Sequence, residues 1–213
     1  MFLKLPKNEL KGGKIMSYSP GALLEAVQNN QIETVQAILK TDFPIDETNH
    51  RGETPLLAAV HNNQISIAKE LIDSGADINK QDHIKDSPYL YASAQGKNEI
   101  LSYMLEKGTA DQTVYNRFGG NALIPAAEKG HLDNVKLLLA DGSVDIDHQN
   151  NYGYTALIET VALRDGSPLY QKIATELLAA GADKELRDND GKTALDYAKE
   201  LNYPEMQKLL ENT

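Results

Sequence analysis

Residues 52–59 read Gly52-Glu53-Thr54-Pro55-Leu56-Leu57-Ala58-Ala59. A hydroxyl followed by proline is a helix start. The hydroxyl accepts a hydrogen bond from an unpaired first-turn N–H, and proline at the first helical position gives up an N–H that had no partner. The pair returns in weaker form as Ser87-Pro88, Asn121-Ala122, Thr155-Ala156 and Thr193-Ala194, at steps of 33, 34, 34 and 38 residues. Upstream, Ala26-Val27-Gln28-Asn29-Asn30-Gln31-Ile32 recurs as Ala59-Val60-His61-Asn62-Asn63-Gln64-Ile65, 33 residues on. A fixed period of this length marks a repeat array.

Each unit reads alike. A short alanine-rich helix follows the cap and breaks at Asn62-Asn63, Gly96 or Gly130. A second helix, such as Leu132 to Leu139, has apolar residues at i, i+3, i+4 spacing. It ends at a glycine, as in Gly75-Ala76-Asp77-Ile78-Asn79 and Gly181-Ala182-Asp183, and a turn with Gly52, Gly119, Gly153 or Gly191 leads on.

Gly52-Glu53-Thr54-Pro55-Leu56, Glu128-Lys129-Gly130-His131-Leu132 and Ser74-Gly75-Ala76-Asp77-Ile78-Asn79 resemble the ankyrin-repeat family, over about residues 20–213. Arg117 to Ala127 and Tyr154 to Glu159 look like a bacterial subgroup of it. The resemblance implies an all-α ankyrin-repeat solenoid of about six helix pairs with short β-hairpin fingers and a concave face. The expected layout is one domain over 17–213. It has an N-terminal capping pair at about 20–40, full repeats at about 46–187 and a C-terminal capping repeat at about 188–213.

Residues 1–16 are expected to be a disordered leader or a mis-annotated start. Lys11-Gly12-Gly13-Lys14 back-translates to a purine-rich stretch just before Met16, as a bacterial ribosome-binding site would.

Composition bounds the function. The net charge of −10 over 213 residues argues against a nucleic-acid partner, since binding a phosphate backbone is driven by cations that displace counterions. No apolar run is long enough to span a bilayer, and the first residues make no secretory signal, so a cytoplasmic protein is expected. The absence of cysteine removes disulfides, thiol nucleophiles and Cys-based zinc sites.

Departures from the repeat locate the candidate site. The residues flanking the turn glycine are Arg51 and Glu53, Ile84 and Asp86, Phe118 and Gly120, Tyr152 and Tyr154, then Asp190 and Lys192. The central fingers thus offer Ile84, Phe118, Tyr152 and Tyr154, rimmed by Arg51, His83, Lys85, Arg117 and Lys192. Apolar anchors inside a polar rim are the composition of a protein interface. Lys85 replaces the turn glycine, which predicts a remodelled turn.

Along the inner-helix column Ala58, Tyr91, Pro125, Glu159, Tyr197, Pro125 should remove a backbone hydrogen bond and bend its helix. Glu159 replaces an apolar residue, so Tyr91, Pro125 and Glu159 form a possible pocket or a closed structural network. An insertion at Leu163 to Tyr170 either carries function or restarts a helix.

His50, His61 and His83 fall one repeat apart, too far for two to share a metal directly. No phosphate loop, dinucleotide motif or nucleophile elbow is present. The expectation is a non-catalytic scaffold binding an unidentified protein, monomeric and without cofactor or metal. The alternatives are a small-ligand or peptide pocket at Pro125 and Glu159, or a chaperone-like role.

Overall fold

The structure, a computed structural model, describes residues 18–108 and 110–213. The expected leader at 1–16 lies outside the described residues. Twelve helices follow one another in pairs among the described residues. An inner row comprises α1 (Ala22–Gln28), α3 (Pro55–His61), α5 (Pro88–Ala94), α7 (Leu123–Glu128), α9 (Ala156–Ala162) and α11 (Ala194–Glu200). The outer row comprises α2 (Ile32–Leu39), α4 (Ile65–Asp73), α6 (Asn98–Lys107), α8 (Leu132–Asp141), α10 (Pro168–Ala179) and α12 (Pro204–Asn212). Each inner helix packs on the next inner helix and on its own outer partner, which is the solenoid that the period predicts.

The caps are where the hydroxyls are. Thr54, Ser87, Thr155 and Thr193 accept from the N–H groups of Leu57, Leu90, Ile158 and Asp196 at 3.1–3.2 Å. Asn121 does the same for Leu123 at 3.2 Å and Ile124 at 3.3 Å. Ala58, Tyr91, Glu159 and Tyr197 then donate their N–H to the capping residue's carbonyl. Pro125 occupies the equivalent place without an N–H. As expected one bond is lost, and α7 has six residues where the other inner helices have seven.

The core is aliphatic. Leu56, Leu57 and Ala59 of α3 and Ala68 and Leu71 of α4 are fully buried, and each later pair repeats the pattern. A buried leucine contributes about 2 kcal/mol, so each pair is held to its neighbours rather than by helix propensity. No finger turn precedes the first pair among the described residues. Its α1 is capped instead by Glu47, whose carboxylate accepts from Gly21 N at 2.6 Å and Leu24 N at 3.0 Å. In the last pair, α12 turns Met206 and Leu210 inward and leaves Glu205 and Lys208 exposed.

The fingers differ from the expectation in one respect. Among the described residues no strand forms, so they are tight turns rather than laddered β-hairpins. Each is held by one Asn or Asp: Asn49, Asp82, Asn116, Asn150 and Asp188. Its side-chain oxygen accepts from the N–H groups two and four residues on, at 2.9–3.1 Å. Its carbonyl accepts from the third N–H, and its own N–H donates to the fourth carbonyl. Four bonds therefore converge on a single residue, and the turn closes without a second strand.

The third N–H belongs to Gly52, Gly119, Gly153 and Gly191, all at φ 77–78°. In the second finger it belongs to Lys85, at φ 63°. Lys85 N donates to Asp82 O at 3.1 Å, as Gly52 N donates to Asn49 O at 3.0 Å. The turn is therefore not remodelled, contrary to the sequence expectation. Lys85 takes up the left-handed conformation and bears its cost, which the Asp82 bonds offset.

Neighbouring fingers are stitched together. His83 N donates to Arg51 O, Asn151 N to Phe118 O and Asn189 N to Tyr152 O, at 2.9–3.1 Å. Fingers two and three are linked by Gln81, whose amide donates to Tyr115 O at 2.8 Å.

Candidate functional site

A hollow of about 450 Å³ lies between fingers three and four and the inner helices α5, α7 and α9. Tyr91, Pro125 and Glu159 all line it, so the residues grouped by their column in the sequence do meet in space. Arg117, Phe118, Tyr152 and Tyr154 form its finger side. Ile84, His83 and Arg51 lie apart, around a second hollow with Glu53, His50, His61 and Asp82. Lys85 is exposed at the tip of the second finger.

Ile84, Phe118 and Tyr152 are 53%, 46% and 57% exposed, which is unusual for large apolar side chains and matches the expectation of presented tips. The Arg117 guanidinium lies 4.9 Å from the Phe118 ring centroid. Tyr154 departs from the expectation. It is half-buried, its ring meets Tyr197 edge-on at 6.1 Å, and its hydroxyl lies 3.3 Å from that of Tyr197. It forms the wall of the hollow instead of a tip.

Glu159 sits at the base. Its side chain is almost fully enclosed, with the residue 8% exposed. Oε1 accepts from the Asn150 side-chain amide at 2.7 Å. The amide orientation is fixed because the other end of Asn150 already accepts from Tyr152 N and Tyr154 N. The closed-network reading is half met: Glu159 caps a finger amide, but that of its own finger. Burial pushes the Glu159 carboxyl up to about 7, and the Asn150 bond reverses only part of that.

The corresponding pair in the next repeat has its polarity reversed. Tyr197 donates its hydroxyl to Asp188 Oδ2 at 2.5 Å. Burial works to raise the Asp188 carboxyl, but the Tyr197 hydroxyl and the N–H groups of Lys192 and Asp190 hold it below the usual range. Burial first, then the hydrogen bonds with Asp188 and Tyr154, leave Tyr197 harder to ionise.

Sequence reasoning did not place Asp86, Glu128 or Leu163 in this hollow. Asp86 follows the second finger turn, and burial raises its carboxyl while Arg117 and Lys129 partly counter that. Glu128, at the end of α7, is ion-paired with Arg164 from the insertion. Leu163, 47% exposed, closes the rim. The insertion both restarts α10, through Ser167-Pro168, and supplies these contacts. Gly166 permits its close approach to α12: at φ 67°, an added Cβ would stand 2.6 Å from Tyr203 Cγ, and Tyr203 donates its hydroxyl to Arg164 O at 2.5 Å.

In the second hollow His61 Nδ1 lies 2.8 Å from Glu53 Oε1. Among the described residues no group of three His, Cys, Asp or Glu is placed to hold a metal ion. No described helix is long and apolar enough to cross a membrane.

A family model described as ankyrin repeats (3 copies) matches residues 10–82 and 89–188. The chain belongs to the ankyrin-repeat family. Ankyrin repeats generally mediate protein–protein interaction. The ankyrin repeat protein YahD of Escherichia coli (strain K12) is 43% identical over 100 residues, covering 47% of this chain and 50% of its own. This chain therefore matches about half the length of that curated relative. The crystal structure of an ankyrin repeat protein, EF0377, is 58% identical, with a TM-score of 0.90 over 92% of this chain and 98% of its own. An ankyrin repeat domain from Acinetobacter baumannii is 44% identical, with a TM-score of 0.87 over 91% and 98%.

Proposed function

We propose that this ankyrin-repeat chain is a non-catalytic scaffold that seats part of a partner protein on its concave face. The tips Ile84, Phe118 and Tyr152 make the apolar contacts, Arg51, His83, Lys85 and Arg117 form the polar rim, and Tyr154 walls the hollow beneath. The observation that carries this reading is the placement of three large, half-exposed apolar side chains on consecutive fingers, beside a ready-made hollow. Burying them would release water from apolar surface, and the stapled turns mean little order must be gained on docking.

The test is partner capture by crosslinking from the native source, comparing wild type with a Phe118→Ala plus Tyr152→Ala variant. Both side chains are outside the core, so the variant should keep its helical content. Loss of the captured partner supports the reading. Unchanged capture by a folded variant rules out this face.

A further inference from the structure

Two fingers solve the same electrostatic problem differently. In the first, Asn49 donates its side-chain amide to Glu53 Oε2 at 2.8 Å, and Glu53 is buried, 6% exposed. That carboxylate also has basic partners: Arg51 at 3.2 Å on Oε2 and His61 at 2.8 Å on Oε1. In the fourth finger, Asn150 donates in the same way to Glu159, which is equally enclosed. Among the described residues no cation forms an ion pair with it. Burial and the Asn150 bond are the influences acting on its carboxyl, and Oε2 takes no hydrogen bond from a described residue.

Arg117 and Lys129 also line the hollow, where they act on Asp86, and Arg164 is paired with Glu128. The lining carboxylates Asp86, Glu128 and Glu159 outnumber those two cations. From α5 the hollow receives Tyr91, and from the fourth finger Tyr152 and Tyr154. The Tyr197 hydroxyl of α11 is taken up by Asp188. A buried carboxylate lacking a counter-ion is costly, and a cation that desolvates against it recovers much of that cost. Aromatic walls favour the same kind of occupant, because ring faces attract cations.

We propose that the hollow receives a basic side chain, arginine or lysine, from an extended segment of the partner, with Glu159 as its counter-ion. This rests on the scaffold reading above and adds the chemistry of what is recognised. The net charge of −10 complements a basic segment. A long flexible stem lies against Tyr152 and Phe118 while its charged end reaches Glu159 Oε2. The ion pair completed this way reproduces what Arg51 and His61 provide for Glu53.

The experiment uses the full chain, labelled for NMR, and three five-residue peptides with glycine and serine around a central arginine, lysine or citrulline. Citrulline keeps the shape of arginine without its charge. The expected result is that the arginine and lysine peptides shift the Asn150 side-chain and Tyr154 backbone resonances, with affinities about tenfold above that of citrulline. Their affinity should rise several-fold from pH 6 to pH 8 as Glu159 ionises. Glu159→Gln, which can still accept the Asn150 bond, should abolish both the preference and the pH dependence.

Equal binding of citrulline, shifts confined to another face, or an unchanged preference in a folded Glu159→Gln variant would each overturn the proposal. Failure here, with partner capture still lost in the Phe118→Ala plus Tyr152→Ala variant, removes the basic side chain and leaves the scaffold standing.

Discussion

Asn150 donates its side-chain amide to Glu159 Oε1 across 2.7 Å, joining the base of a finger to the helix behind it. One residue thus staples its own turn and holds the carboxylate at the floor of the hollow. The proposed recognition chemistry and the local fold meet at this pair.

The carboxyl of Glu159 is raised from 4.5 to about 7 by burial, so the folded state binds a proton more tightly than the unfolded state. Its contribution to stability is therefore greatest at low pH and declines as pH rises from 4.5 to about 7. We predict that Glu159→Gln is more stable than wild type at pH 8, by on the order of 1–3 kcal/mol, and little different at pH 4.5. Urea denaturation at the two pH values measures this, and an equal difference at both would contradict it.

Asp188 titrates in the opposite sense. Its carboxyl is held below 3.8, so its stabilisation is complete above that value and is lost as pH falls through the folded-state pKa. Tyr197→Phe removes one of the groups holding it down. The variant should lose about 1–2 kcal/mol at pH 7, with the loss shrinking below pH 3. Chemical denaturation across that range is the check.

Lys85 occupies a left-handed conformation that its counterparts give to glycine. Lys85→Gly should stabilise the chain by about 0.5–1 kcal/mol, the relief of backbone strain exceeding the added freedom of the unfolded chain. A lower thermal midpoint for the glycine variant would mean that the Lys85 side chain makes up for its backbone.

Thr155 caps α9 through Ile158 N at 3.1 Å and is buried. Thr155→Ala should cost about 1 kcal/mol. Because α9 backs the hollow, hydrogen exchange at Ile158 and Glu159 should quicken more than exchange in α3.

The helix pairs were legible because their signals are local. A hydroxyl cap, a small-residue helix and an apolar stripe each lie within a few neighbouring positions. Pro125 was legible for the same reason, since a missing N–H needs no partner to be recognised. The grouping of Tyr91, Pro125 and Glu159 followed from the period alone. The finger anchors were not read, although Asn49, Asp82, Asn116, Asn150 and Asp188 follow the same steps as the caps. Their role depends on four bonds that form once the following turn bends back. Tyr154 was misread because its contact, Tyr197, lies 43 residues away. The isolation of Glu159 was beyond reach for a similar reason. Whether a carboxylate has a cation nearby is a property of space: Arg51 meets Glu53, whereas Arg164 meets Glu128.

Each finger turn is closed by the anchor and by backbone groups, so the tip residue contributes its N–H to the fold and its side chain to solvent. A mutation at Ile84, Phe118 or Tyr152 can therefore change the exposed surface, and with it the proposed recognition, while the folding free energy stays nearly constant. On the proposed scaffold reading, surface chemistry and folding are written in separate atoms of the same residue, so the one is adjustable without a compensating change in the core.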